Sequence, residues 1–131
     1  MVERSALRED RLFHVSPIGV KQHNEGDFVL YIFKVEAYEM SFYIVDRYSS
    51  MDSWQADFKK RFGRVVQQIQ FPHKRLLGFG SQNFIKQRNG DLAEFLSDLF
   101  SHPIFDLGNT IEIWTYFERH LYRPVDFFLF D

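Results

Sequence analysis

A chain of 131 residues supplies one domain with a sizeable core, and its 16 Phe, 6 Tyr and 2 Trp provide apolar bulk that excludes disorder. It has no cysteine, which excludes disulfides, thiolate catalysis and zinc sites with sulfur ligands. No apolar run is long enough to span a bilayer, and Met1-Val2-Glu3-Arg4 lacks the apolar segment of a secretory signal, so the expected setting is cytoplasmic.

The net charge of −2 conceals a division. Residues 47–90 hold nine of the 16 bases (Arg47, Lys59, Lys60, Arg61, Arg64, Lys74, Arg75, Lys86, Arg88) and only two acids, Asp52 and Asp57. That stretch therefore carries +7 and the rest of the chain −9. A cationic middle between anionic flanks fits an anionic partner docking on one region, and it equally fits a solvated helix face.

Residues 1–10 are polar and read as a flexible leader. Residues 11–20 alternate as a short strand ending at Pro17, and residues 21–27 form a polar loop. Residues 28–35 are an almost unbroken aromatic and β-branched run, expected as a strand covered on both faces. Residues 40–45 pair with it in a hairpin turning near Ala37 to Glu39, which makes a three-stranded meander.

The period then changes. Ser49 with Asp52 reads as a capping box, and Met51, Trp54, Phe58 and Phe62 recur at helical spacing until Gly63 stops the helix, with Lys59, Lys60 and Arg61 in its last turn. Pro72 blocks helix continuation, and residues 74–80 form a basic, glycine-hinged loop carrying large apolar residues. Residues 81–101 are the longest helical pattern, with a bend expected at Asn89-Gly90. Asn109 caps a further helix with Ile113, Trp114 and Phe117 inward. Residues 119–131 are a tail or a linker to a further region.

Strands first and helices afterwards imply an α+β fold: a three-stranded antiparallel β-meander packed against a helical subdomain of three to four helices. The seam between the two layers is where Arg47, Lys74 and Arg88 can meet.

The order of elements, with Arg47-Tyr48-Ser49 at a strand-to-helix junction, Phe71-Pro72-x-Lys74 and Phe84-Ile85-x-x-Arg88, resembles the phox-homology (PX) domain over residues 11–118. The resemblance implies a phosphoinositide pocket, most often for phosphatidylinositol 3-phosphate, on endosomal or related membranes. It implies that Arg47 holds the 3-phosphate, Tyr48 packs its ring under the inositol, Lys74 binds the 1-phosphate and Arg88 bonds the 4- and 5-hydroxyls. Asp46 departs from the family pattern, where many members have a second basic residue. A carboxylate there is expected either to compete with phosphate or to orient the Arg47 guanidinium.

The residue types suit that chemistry independently. Arginine's planar fork matches phosphate oxygens bidentately, whereas lysine acts as a point charge. Leu76, Leu77 and Phe79, with Arg75 beside them, suit shallow insertion into a bilayer surface, each large apolar side chain contributing about 1.5–3 kcal/mol on burial. The competing structural readings are a surface ion pair for Arg47, a core aromatic for Tyr48, solvated charges for Lys74 and Arg88, and core plugs for the apolar loop residues.

Catalysis and cofactors find no support. The glycine pattern at residues 78–83 fails as a dinucleotide fingerprint, and His14, His23, His73, His102 and His120 lack paired ligand spacing. The expected function is membrane targeting in trafficking, by a non-enzyme without cofactor. The alternative is a protein-interaction module that keeps the fold and has lost lipid binding. Nucleic acid is not an expected partner, because the basic stretch lacks an aromatic stacking pattern.

Overall fold

The computed structural model describes residues 12–23, 28–63, 67–74, 82–103 and 110–123. The described elements are β1 (His14–His23), β2 (Phe28–Ala37), β3 (Met40–Arg47), α1 (Tyr48–Phe62), α2 (Gln82–Phe100), α3 (Thr110–Arg119) and β4 (Leu121–Tyr122). The strands form one antiparallel sheet in the order β1-β2-β3-β4. The α+β architecture is as the sequence implies, with one strand more: Tyr43 and Ile44 of β3 pair with Tyr122 and Leu121. Two residues give no periodicity to detect, and only their meeting with β3 makes them a strand.

The sheet buries one face. Along β2, Tyr31, Phe33, Val35 and Ala37 are buried while the intervening side chains are partly or fully exposed. This corrects the expectation of a strand covered on both sides; an apolar run reads the same whether its second face is covered or merely half-shielded. At the hairpin tip Tyr38 and Glu39 take φ of 52° and 67°, the two left-handed residues of a type I′ turn whose twist matches the flanking strands. Glycine is the usual occupant; here the Tyr38 ring packs edge-on to Phe13 at 6.0 Å.

β1 does not end at Pro17. It runs to His23, with a register shift between Pro17 and Gly19 that leaves Ile18 as the extra residue of a bulge. Proline is tolerated because β1 is the sheet edge, where its missing N–H costs no ladder bond. That edge is closed by α2. Ser97 Oγ accepts from the Val15 N–H (2.9 Å) and donates to the Val15 carbonyl (3.3 Å), Ser101 treats Phe13 likewise (3.1 and 3.2 Å), and Asn89 Nδ2 donates to the Gly19 carbonyl (3.1 Å). Polar side chains on one helical face thus stand in for a missing strand. The same role explains Asn89, which binds β1 within an uninterrupted helix where a bend was expected.

α1 begins at Tyr48, one residue before the expected cap. No side chain caps it, and Asp52 instead accepts from Gln55 Nε2 at 3.0 Å, so the capping box is not formed. Gly63 stops the helix as expected, at φ +80°, with its N–H on the Lys59 carbonyl (2.8 Å). Between sheet and helices lies an aromatic core of Phe13, Phe33, Phe58, Phe100, Tyr116 and Phe117, all buried. No helix among the described residues is long and apolar enough to cross a membrane.

Candidate binding site at the strand-to-helix junction

Arg47 ends β3 in extended backbone (φ −107°, ψ 157°) and is followed at once by α1, so Arg47 and Tyr48 occupy a sharp, fixed turn. The Arg47 side chain is exposed. Its Nε donates to Ser49 Oγ at 3.0 Å and its guanidinium carbon lies 4.7 Å from the centroid of the Phe28 ring. Ser49 therefore steadies a guanidinium rather than capping a helix. One nitrogen is used in that bond, which leaves the terminal fork to face an anion.

Tyr48 is half-buried. Its hydroxyl donates to the Pro72 carbonyl at 2.6 Å, and its ring lies 5.1 Å from that of Phe71. Arg88, on the first half of α2, stacks over the same ring at 3.8 Å and over Phe84 at 4.6 Å, and donates to the His73 carbonyl. Three separate pieces of chain, the β3–α1 turn, the 71–74 segment and α2, are fastened together here by one tyrosine and one arginine. Lys74 follows directly on that fastening and is exposed.

Arg88 is only 5% exposed, so its charge is held inside the protein against π faces and a carbonyl. Burial pushes the phenols of Tyr48 and Tyr31 above the usual tyrosine range, and the nearby Arg88 cation partly offsets the rise in both. Both phenols are thus neutral donors at physiological pH, with a buried cation beside them.

Asp46 does neither of the things expected of it. Its carboxylate is 5% exposed and turned into the fold: Oδ1 accepts the Arg47 backbone N–H (2.8 Å), and Oδ2 accepts the Tyr116 hydroxyl (2.9 Å) and meets His120 Nε2 at 3.2 Å. Alternation along β3 is the reason, since residues 44 and 46 share the buried face and Arg47 takes the other. The Arg47 guanidinium is engaged with Ser49 and Phe28, not with this carboxylate. Burial, and then the Asp46 charge, hold the Tyr116 phenol well above the tyrosine range.

Sequence reasoning brought Arg47, Lys74 and Arg88 to one seam; Tyr48, Arg88 and the Pro72 and His73 carbonyls meet there, whereas among the described contacts neither the Arg47 nor the Lys74 side chain touches Tyr48 or Arg88. It missed Phe28, Tyr116 and His120, which carry no motif and lie far from residue 46 in sequence. Tyr116 had one available signal, its position three residues after the inward Ile113. Arg75, Leu76, Leu77 and Phe79 lie outside the described residues. A cleft of 530 Å³ borders the 71–73 segment, with Asp91, Glu94 and Asp98 on its wall. Among the described residues no three His, Asp or Glu side chains gather as a metal site.

A profile of the PX domain family matches residues 38–119, well over half of the chain. Sorting nexin-20 of Rattus norvegicus is 29% identical over 104 residues, covering 76% of this chain, and sorting nexin-20 of Bos taurus is 24% identical over 94 residues, covering 69%. The chain spans about a third of the length of these relatives, 33% and 30% respectively.

Proposed function

Because this chain belongs to the PX domain family, we propose that it is a phosphoinositide-binding module that brings its protein to membranes in trafficking. We assign the lipid site to the Arg47–Tyr48 turn, with residues 11–118 as the binding domain and phosphatidylinositol 3-phosphate on endosomal membranes as its ligand. The observation that carries this reading is the exposed Arg47 fork beside a turn locked by Tyr48 and Arg88. Arg47 takes the 3-phosphate bidentately, Lys74 takes the 1-phosphate as a point charge, and Tyr48 supplies the floor under the ring. Arg88 holds the floor and the His73 carbonyl in register, and its remaining N–H groups are donors for the inositol hydroxyls.

Head-group recognition alone is one weak signal; insertion of Leu76, Leu77 and Phe79, with Arg75 near anionic headgroups, supplies the second. No step of this function is chemical, and the module is a binder rather than an enzyme. Sorting nexin-20, to which the chain is similar, bears a name that speaks of sorting, in keeping with trafficking. The alternative, an interaction module that has lost lipid binding, leaned on Asp46, and that carboxylate is turned away from the Arg47 fork.

Co-sedimentation with liposomes carrying each phosphoinositide in turn tests the proposal. The wild-type protein is expected to select phosphatidylinositol 3-phosphate, and Arg47→Ala to weaken that binding about tenfold or more, the worth of charge-assisted bonds to a phosphate, with the fold intact by circular dichroism. Binding of the wild type to no phosphoinositide would sink the lipid reading and leave the protein-interaction reading in its place.

A further inference from the structure

Asp46 and Tyr116, both buried, and the partly exposed His120 form a polar cluster that lipid binding does not itself use. Asp46 Oδ1 fixes the backbone N–H of Arg47, the residue from which the phosphate-facing fork projects. Its other oxygen is held by α3: the Tyr116 hydroxyl donates to Oδ2 at 2.9 Å and His120 Nε2 lies 3.2 Å from it. His120 is further keyed to both neighbours, its carbonyl accepting the Val45 N–H at 2.9 Å and its own N–H lying 3.2 Å from the carbonyls of Tyr116 and Phe117.

The imidazole is placed between two acceptors. Nε2 faces the Asp46 carboxylate, and Nδ1 faces the Tyr116 carbonyl at 2.9 Å. A neutral imidazole has one N–H, so one nitrogen would present a lone pair to an oxygen; the imidazolium donates at both. The titratable groups shown to meet the ring are Asp46 from β3 and Tyr116 from α3, while α1 contributes the uncharged Trp54, whose ring lies 4.4 Å from that of Tyr116. Tyr116, its phenol held well above the usual range by burial, stays a neutral donor. The His120 side chain is 21% exposed, enough for solvent to deliver the proton.

We propose that His120 is a proton-gated positioning residue: protonation locks Asp46, and through it the Arg47 turn, so that mild acidification strengthens anion binding at Arg47. The proposal deepens the phosphoinositide reading and rests on it. Acidification also removes charge from a phosphomonoester, which weakens binding on its own. The informative quantity is therefore the ratio of wild-type to variant affinity at each pH.

The experiment measures affinity for phosphatidylinositol 3-phosphate liposomes at about pH 5.5 and about pH 8, for wild type, His120→Gln and His14→Gln, the last an exposed residue at the start of β1 and outside the site. The ratio of wild type to His120→Gln is expected to rise on the order of fivefold from the higher to the lower pH, a part of the worth of a hydrogen bond between charged groups. The ratio to His14→Gln is expected to stay flat. A flat His120→Gln ratio, or an equal rise for His14→Gln, overturns the proposal. A lipid-free arm separates its failure from that of the lipid reading. In the wild-type protein the Arg47 amide resonance should titrate together with the His120 ring, and it should stop titrating in His120→Gln. Failure to bind any lipid, with this coupled titration present, refutes the phosphoinositide reading and leaves the proton-gated turn standing. An Arg47 amide indifferent to His120 overturns the gate whatever the lipid result.

Discussion

Tyr116 shows how much one hydroxyl can decide. It sits at 1% exposure in the aromatic core and donates to a carboxylate that would otherwise be a buried charge with one donor fewer. Tyr116→Phe keeps the ring packing and removes that donor, so a loss of about 1–3 kcal/mol is expected in urea unfolding. The neighbouring Asp46 illustrates the limit of reading residues in sequence order. Adjacent to Arg47, it looked like a competitor for phosphate; the pleat of β3 sends the two side chains to opposite faces. Arg47, Tyr48, Lys74 and Arg88 stand out in the sequence because each has a residue type its proposed task requires. Phe28 and His120 do not, since an aromatic at a strand start and a single histidine after a helix have no distinctive chemistry until their neighbours are known.

At the scale of elements, helices and strands were legible from period, and their ends were not. The α1 register followed from Met51, Phe58 and Phe62, and Gly63 stopped it, but the Ser49 cap failed because the helix starts at Tyr48, which places Ser49 inside its first turn, where its hydroxyl accepts from Arg47 Nε. β1 outran its proline for a reason that belongs to the pair β1 and α2: an edge strand has no partner on one side, and Ser97 of α2 and Ser101 just after it supply the bonds. Ser97→Ala tests this. It leaves the Val15 N–H and carbonyl buried without their reciprocal partner, and a destabilisation of about 1–3 kcal/mol is expected, read from the urea midpoint. A loss near zero would mean that α2 holds β1 by apolar packing alone.

For the whole molecule, the alkaline limb of stability has its source in buried phenols. Tyr31, Tyr48 and Tyr116 all have phenols raised by burial, so the folded state keeps their protons where the unfolded chain releases them. The resulting contribution is fully present below the unfolded tyrosine value of about 10 and is lost as pH rises through the higher folded values. Urea midpoints are expected to fall steeply above about pH 10 in the wild type and less steeply in Tyr116→Phe. Equal slopes would remove Tyr116 from the alkaline transition. The charge division of the chain has its counterpart in the fold, because the cationic middle spans α1, the 67–74 segment and the start of α2, which flank the site.

The sequence by itself determined the fold class, the hairpin, the three described helices and which charged and polar groups each carries, because hydrophobic period and residue chemistry are local properties. Tertiary structure alone decided which way each of those groups points and what holds it. Asp46 faces α3 because strand alternation and the docking of residues 116–120 place the Arg47 N–H, the Tyr116 hydroxyl and the His120 ring around it. Leu121–Tyr122 is a strand because β3 lies beside it, and Arg88 is a buried brace because Tyr48, Phe84 and the His73 carbonyl surround it. Each is a contact between residues distant in the chain, and the free energy of such a contact depends on geometry that no stretch of sequence contains.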